Sequence, residues 1–462
     1  MTTLARPVVE LKRDLGMWGA VAIVVGTVIG SGIFIVPRSM IQLVGSTQWV
    51  FVVWVVGGLL SLAGALSYAE LAAAMPEAGG EYVYLREAYG PLWGFVYAWT
   101  QMWVARSGAM AILATGFFYY MANFLPAMEQ IFFIVPLPLG AHGAPLEIRY
   151  GQLLAIILIL LLAGLNYLGV KIGGGVQIAV TVIKIALILL IIVVGLAWGH
   201  PEAGVRHASL VPLTIAGFFA ALVKALWAFD GWNTVAMVAS EVRQPQRNLP
   251  LALIWGTVAV IVIYISANAA YFYVLAPSEV AASNRVAAEM MRRILGTAGG
   301  NIVSIAAMIS MFAALNGTIL SGGRIPYAAA RDGLFFRSMA HVNPRYHTPG
   351  PALIAISLWG AVLVLSGTYD QLLDYVIFAS WILYGMATAA VLVLRKKRPV
   401  MERPYRAVGY PIVPVLFVIM AFCIVASALY NSPRESGMGL VLILAGGPFY
   451  LYWRKRNDQV KS

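Results

Sequence analysis

Charge is what this chain of 462 residues has least of: Asp, Glu, Lys and Arg make up 11% of it, while 61% is hydrophobic. A soluble globular protein carries about 25% charged residues, so a water-soluble fold is excluded. Cysteine is nearly absent. The single Cys423 lies in an apolar stretch, which rules out an intrachain disulfide and reads as a small core or lipid-facing side chain. The five histidines (His142, His200, His207, His341 and His347) fall in expected loops without metal-ligand spacing. Gly79-Gly80 lacks the lysine and serine of a phosphate loop. The sequence therefore points to no enzyme, no cofactor, no metal and no ATP-driven pump.

What it has instead is apolar runs of about 20 residues, the length that spans a bilayer. Twelve are expected, at roughly 15–44, 48–75, 91–123, 150–168, 174–198, 211–238, 249–275, 298–328, 350–366, 371–394, 409–430 and 437–453. The first is longer than a signal-peptide core and has no small-residue cleavage site, so it is expected to stay as a span. Connections are short, the longest about 25 residues around 124–149, which leaves no room for a second soluble domain. The net charge of +12 reports orientation rather than a nucleic-acid partner. With the N-terminus inside, 21 of the 31 Lys and Arg fall on the cytoplasmic side, among them the run Arg395–Arg398, and both termini are cytoplasmic.

Two of these runs contain residues that do not belong in a plain spanning helix. Gly26-Thr27-Val28-Ile29-Gly30-Ser31-Gly32 interrupts the first, and Trp227-Ala228-Phe229-Asp230-Gly231 interrupts the sixth. Lipid offers no partner to freed backbone groups, so unwound backbone at membrane depth must line a cavity or pack in protein. A helix restarting near Ser31 presents free N–H groups and a positive dipole end, which suits a carboxylate. The half ending before the break presents free carbonyls, which suit an ammonium. Two facing breaks make a bipolar clamp, and a free amino acid is the simplest molecule that matches it. The plain alternative for the glycines is close helix packing; the second break outweighs it. Breaks in the first and sixth spans also imply inverted five-span repeats, 15–198 and 211–394, followed by two helices at 409–453.

Lys184 lies deep in the fifth span, where a charge defaults to a functional role. Its ammonium can take the place of a coupling cation by bonding carbonyls near Gly26 and Thr27, which would make the protein sodium-independent; a proton-coupled role stays open beside it. Asp230 has two readings, contact with a cationic substrate or capping of the second half of its helix, and capping is the simpler. Arg106 and Lys224 are further intramembrane charges facing a vestibule or an unidentified carboxylate. Trp227 and Phe229 flank the sixth-span break as packing aromatics or as a cover over a ligand.

These residues resemble the amino acid–polyamine–organocation (APC) transporter superfamily, and within it the L-type amino acid transporter branch with its bacterial serine/threonine exchangers. The resemblance rests on GTVIGSGIF at 26–34, SYAELAAAMPEAGGEYVYLREAYGPL at 67–92 and NYLGVKIGGGVQ at 166–177. It continues through FDGWN at 229–233, EVRQPQRNLPLA at 241–252, RDGLFF at 331–336 and TPGPAL at 348–353. It implies an all-α membrane protein of twelve transmembrane helices with an inverted five-plus-five repeat, moving neutral L-amino acids by alternating access, most simply as an exchanger. It implies that Ile29, Gly30, Ser31 and Gly32 hold the substrate carboxylate and that carbonyls of Val28, Trp227, Ala228 and Asp230 hold its amino group. Trp227 corresponds to the gating aromatic, phenylalanine in many members, and Lys184 to the lysine that replaces the cation. Animal members join a glycoprotein through a cysteine between the third and fourth spans. This chain has none there, so no disulfide-linked partner is expected. The runner-up reading is a proton-coupled permease for cationic amino acids or polyamines, motivated by Asp230; a third is an amino acid sensor that binds without transporting.

Overall fold

A computed structural model describes residues 11–136, 146–200, 210–365, 369–431 and 433–461, and it is helical almost throughout. Among the described residues nine helical segments are long and apolar enough to cross a membrane. The three expected spans missing from that set are the third, sixth and ninth, and each is short or interrupted for a visible reason. The third is Pro91–Thr100, a π turn at Gln101–Ala105, then Arg106–Met121. The sixth is Ile215–Ala228 followed by irregular backbone and a single turn, Thr234–Met237. The ninth is Gly350–Leu363. Cys423 sits in the helix Ile412–Asn431.

The expected break in the first span separates Met17–Val28 from Gly32–Val44. The eighth span is longer than expected. Helix begins at Val286 and reaches Gly322, and Gly296 interrupts it with φ +65, a left-handed conformation that glycine adopts freely. A short helix, Arg324–Arg331, continues beyond. The 124–149 connection is not plain loop either: Ile131–Val135 pairs antiparallel with Leu146–Arg149. β-Branched and aromatic residues in Ile-Phe-Phe-Ile-Val favour that strand. His142 and His207 lie outside the described residues.

Packing sorts the spans into two groups. The first, second, sixth and seventh (Pro245–Val274) pack on one another, as do the third, fourth (Tyr150–Tyr167), eighth and ninth. The fifth, Val170–Trp198, lies against both the first and the eighth. Side chains such as Leu161, Val182 and Val262 point out of this assembly, exposed as lipid-facing residues are. Polar side chains, including Lys184, Asn233, Glu241, Asn316 and Arg324, are inside.

Candidate functional site

The two interrupted helices pack break against break. Gly231 has φ +104, and a Cβ there would stand 2.9 Å from Cγ2 of Thr27. A Cβ on Gly32 would overlap Ala228. Glycine is needed at both positions, at Gly231 for backbone conformation as well as space. Gly30 is similarly close to Leu113 at 3.0 Å and Ala314 at 3.4 Å.

Unwinding frees backbone groups, and nearly every freed carbonyl has a protein partner, as buried polar groups require. Lys184, fully buried, donates to the carbonyls of Gly26 at 2.6 Å and Ile29, and to that of Ser310 in the eighth span at 3.5 Å. Ser310 in turn donates its hydroxyl to Ile29 O at 2.9 Å. The Tyr264 hydroxyl of the seventh span lies 3.0 Å from Val28 O and 2.8 Å from Ala228 O, so one side chain ties the two breaks together. Lys184 thus reaches the carbonyls of Gly26 and Ile29 and not the carbonyl of Thr27, the other contact expected of it; the Thr27 methyl faces Gly231. The half-helix that starts at Gly32 makes its first backbone bonds from Phe34 and Ile35 to Ser31 O, and the amides before them face the break as the electropositive end of the helix.

A small cavity of about 20 Å³, room for about one water molecule, lies between the breaks and the third span. Thr27, Val28, Gly30, Ser31, Gly32, Trp227 and Asp230 line it. Ile29 and Ala228, also singled out in the sequence, stand behind this wall through their carbonyl bonds to Lys184, Ser310 and Tyr264. Trp227 is 6% exposed, so the cavity is covered on its side. Asp230 accepts from the Tyr384 hydroxyl at 2.8 Å and from the Gly231 amide, at the break itself rather than at the turn beginning at Thr234. Capping of that turn, the simpler of the two sequence readings, is therefore not what its carboxylate does.

Arg106 lines the same cavity. It follows the π turn, a feature that inserts a residue and rotates everything after it, and such turns are frequent at functional sites. No periodicity in the sequence announces it. Tyr264 and Tyr384 also escaped sequence reading, because a tyrosine in a membrane span carries no warning that its hydroxyl is committed. Arg106 was visible as a charge at membrane depth but not as part of the site.

The face that carries the N-terminus is closed beneath this cavity. Leu15 N–H donates to Glu241 O at 3.0 Å and Arg243 N–H to Leu15 O at 2.8 Å, joining the start of the first span to the end of the sixth. Arg324 and Glu241 form an ion pair at 2.7 and 3.0 Å with both side chains fully buried. Glu81 begins a short helix, Glu81–Tyr89, that connects the second and third spans. It accepts from Asn233 of the sixth and, at 2.9 Å, from Tyr97 of the third. Burial pushes the Glu81 carboxyl up to about 7, against the lowering effects of those hydrogen bonds and of Arg106. Arg86 and Tyr82 reach Asp332 at 2.6 and 2.7 Å on the same face.

No group of three His, Cys, Asp or Glu able to hold a metal occurs among the described residues.

Comparison with known proteins places this geometry in a family. The profile of the amino acid permease family matches residues 15–446. The b(0,+)-type amino acid transporter 1 of Mus musculus is 32% identical over 446 residues, 96% of this chain and 88% of that protein. The serine/threonine exchanger SteT of Bacillus subtilis is 33% identical over 453 residues, 97% of this chain and 98% of its own. The human cystine/glutamate transporter is 33% identical over 460 residues, 97% of this chain and 87% of that protein. On this evidence the chain belongs to the amino acid permease family of the APC superfamily, multi-pass all-α membrane proteins.

Proposed function

We propose that this protein is a sodium-independent transporter of neutral L-amino acids, working as an exchanger by alternating access in the cell membrane, with cytoplasmic termini and no disulfide-linked partner. The observation that carries the reading is the first break closed around the Lys184 ammonium, with the second break packed against it. A fixed cation already occupies the carbonyls of Gly26 and Ile29, so no sodium ion is needed to satisfy them. The electropositive backbone around Gly30, Ser31 and Gly32 receives the substrate carboxylate. The carbonyls of Val28, Trp227, Ala228 and Asp230 receive its ammonium. Trp227 closes over the bound molecule. The relatives agree in kind: one is an exchanger of serine and threonine by name, another a b(0,+)-type amino acid transporter.

Exchange then consists of moving one packing group against the other. The first and sixth spans break their contacts on one face while the third, fourth, eighth and ninth stay as a frame, each group drawing on both five-span repeats. Binding shifts the balance between the two open forms through the occluded one. Purified protein in liposomes tests this directly. Uptake of labelled serine or leucine is expected to require internal amino acid and to proceed equally in sodium and choline media. Sodium-dependent uptake overturns the role given to Lys184, and binding without flux makes the protein a sensor. The cationic-substrate reading rests on Asp230 alone, and Arg106, which lines the same cavity, opposes it.

A further inference from the structure

The substrate backbone accounts for the two breaks, but not for the third wall of the cavity. Arg106 is 5% exposed and lines the cavity, yet its Nε has no hydrogen-bond partner, and Nη2 reaches only the sulfur of Met237 at 2.8 Å, a weak acceptor. A guanidinium carries five donors and keeps its charge, so leaving it this poorly satisfied in a buried place is costly. Asp230 lines the same cavity and feels the charge of Arg106. Among the described residues, however, no direct ion pair joins them; Asp230 is held instead by Tyr384. Two opposite charges thus line one small cavity without pairing directly, at the place where a bound ligand would meet both.

We propose that Arg106 and Asp230 form a balanced reader of the substrate side chain, selecting uncharged side chains that both accept and donate a hydrogen bond, the hydroxyls and carboxamides. This rests on the reading of the protein as an amino acid transporter and names the class within it. A side-chain oxygen accepts from the Arg106 guanidinium, and its hydroxyl or amide hydrogen donates to the Asp230 carboxylate. A carboxylate side chain would satisfy Arg106 but face Asp230; an ammonium would do the reverse. In a site shielded from water such like-charge contacts are strongly unfavourable. A purely aliphatic side chain leaves both groups unsatisfied. The arrangement predicts that each charge suppresses one class of substrate, so removing either one admits the class it opposed.

The test is an uptake panel of serine, glutamine, leucine, lysine and glutamate in liposomes preloaded with serine. Wild type is expected to prefer serine and glutamine over the other three by about tenfold or more, the scale of one charge-assisted hydrogen bond. Arg106→Gln is expected to raise lysine relative to serine by a similar factor. Asp230→Asn is expected to raise glutamate, and the double variant to return the preference to uncharged side chains. Arg106→Lys, which keeps the charge, is expected to keep lysine excluded; it serves if Arg106→Gln is not recovered folded. Single variants that scale all five substrates alike, or that both move in one direction, overturn the reader while leaving the transporter reading intact. Wild type that moves no amino acid at all removes both.

Discussion

Lys184 carries one of the sharpest tests at the scale of single residues. Its ammonium is the partner of two carbonyls freed by the first break and touches a third in the eighth span. Lys184→Ala removes the side-chain donor of the buried Gly26 carbonyl, at about 1–3 kcal/mol, and leaves Ile29 O with the Ser310 hydroxyl alone. The junction of the first, fifth and eighth spans loosens with it. Exchange in liposomes is expected to fall at least tenfold, and unaltered exchange with sodium independence intact would falsify the role of this residue. Lysine at membrane depth is also why this part of the site could be read without a structure. The glycines at 26, 30 and 32 and the acid at 230 were legible for the same reason: each violates what a lipid-embedded helix tolerates. Tyr264 and Tyr384 violate nothing, and their hydroxyls find Val28, Ala228 and Asp230 only through the approach of helices far apart in the chain. Thr27 shows the limit from the other side. Adjacent to Gly26 in sequence, it turns its methyl to Gly231, and Ile29 supplies the second carbonyl of the first break to Lys184.

Among the elements, the short helix Glu81–Tyr89 and the interrupted third span carry information that hydropathy hides. The π turn at Gln101–Ala105 has no sequence signature, and it precedes the arginine that faces the cavity. The hairpin Ile131–Val135 with Leu146–Arg149 was lost in a segment read as loop, since a two-stranded ribbon between spans has no periodicity long enough to detect. Glu81 joins its connecting helix to Asn233 and Tyr97 in the closed form. Its carboxyl titrates near 7 there, raised from an ordinary 4.5 chiefly by burial. A carboxyl whose closed-state value is raised binds its proton more tightly when closed than when opened to water. The stabilisation of the closed face is therefore complete below about 4.5 and is lost as pH rises through about 7. Between those limits the ratio of open to closed shifts by at most about tenfold per pH unit. Exchange limited by opening of this face is expected to rise between pH 6 and pH 8 in wild type and to be flat in Glu81→Gln. Parallel profiles for the two proteins would remove Glu81 from the latch.

The whole molecule is organised as two packing groups with a cavity between them and a closed layer below it. That architecture was partly legible: twelve apolar runs and two paired breaks predict a broken-helix transporter fold, and the family relationship agrees. The closed layer was not, because its members come from five separate places in the chain. The centre of that layer is the Arg324–Glu241 pair, in which both side chains are fully buried. Removing one member of such a pair leaves an uncompensated buried charge, at about 3–5 kcal/mol. Opening the face to water relieves that charge, so Glu241→Gln is expected to shift the protein toward the form open on the terminal side. The single native cysteine makes this measurable. With Cys423 replaced by alanine, a cysteine at Thr318, which lines the central cavity from the eighth span, reports access. A membrane-impermeant maleimide applied from the terminal face is expected to label that cysteine slowly in the otherwise unchanged protein. In Glu241→Gln labelling is expected to be at least tenfold faster, since even part of the penalty for the stranded arginine exceeds the 1.4 kcal/mol that a tenfold population shift needs. Equal rates would mean that the closed layer is held elsewhere, by Leu15 and Arg243 or by Asp332, and that the buried pair does not govern alternation.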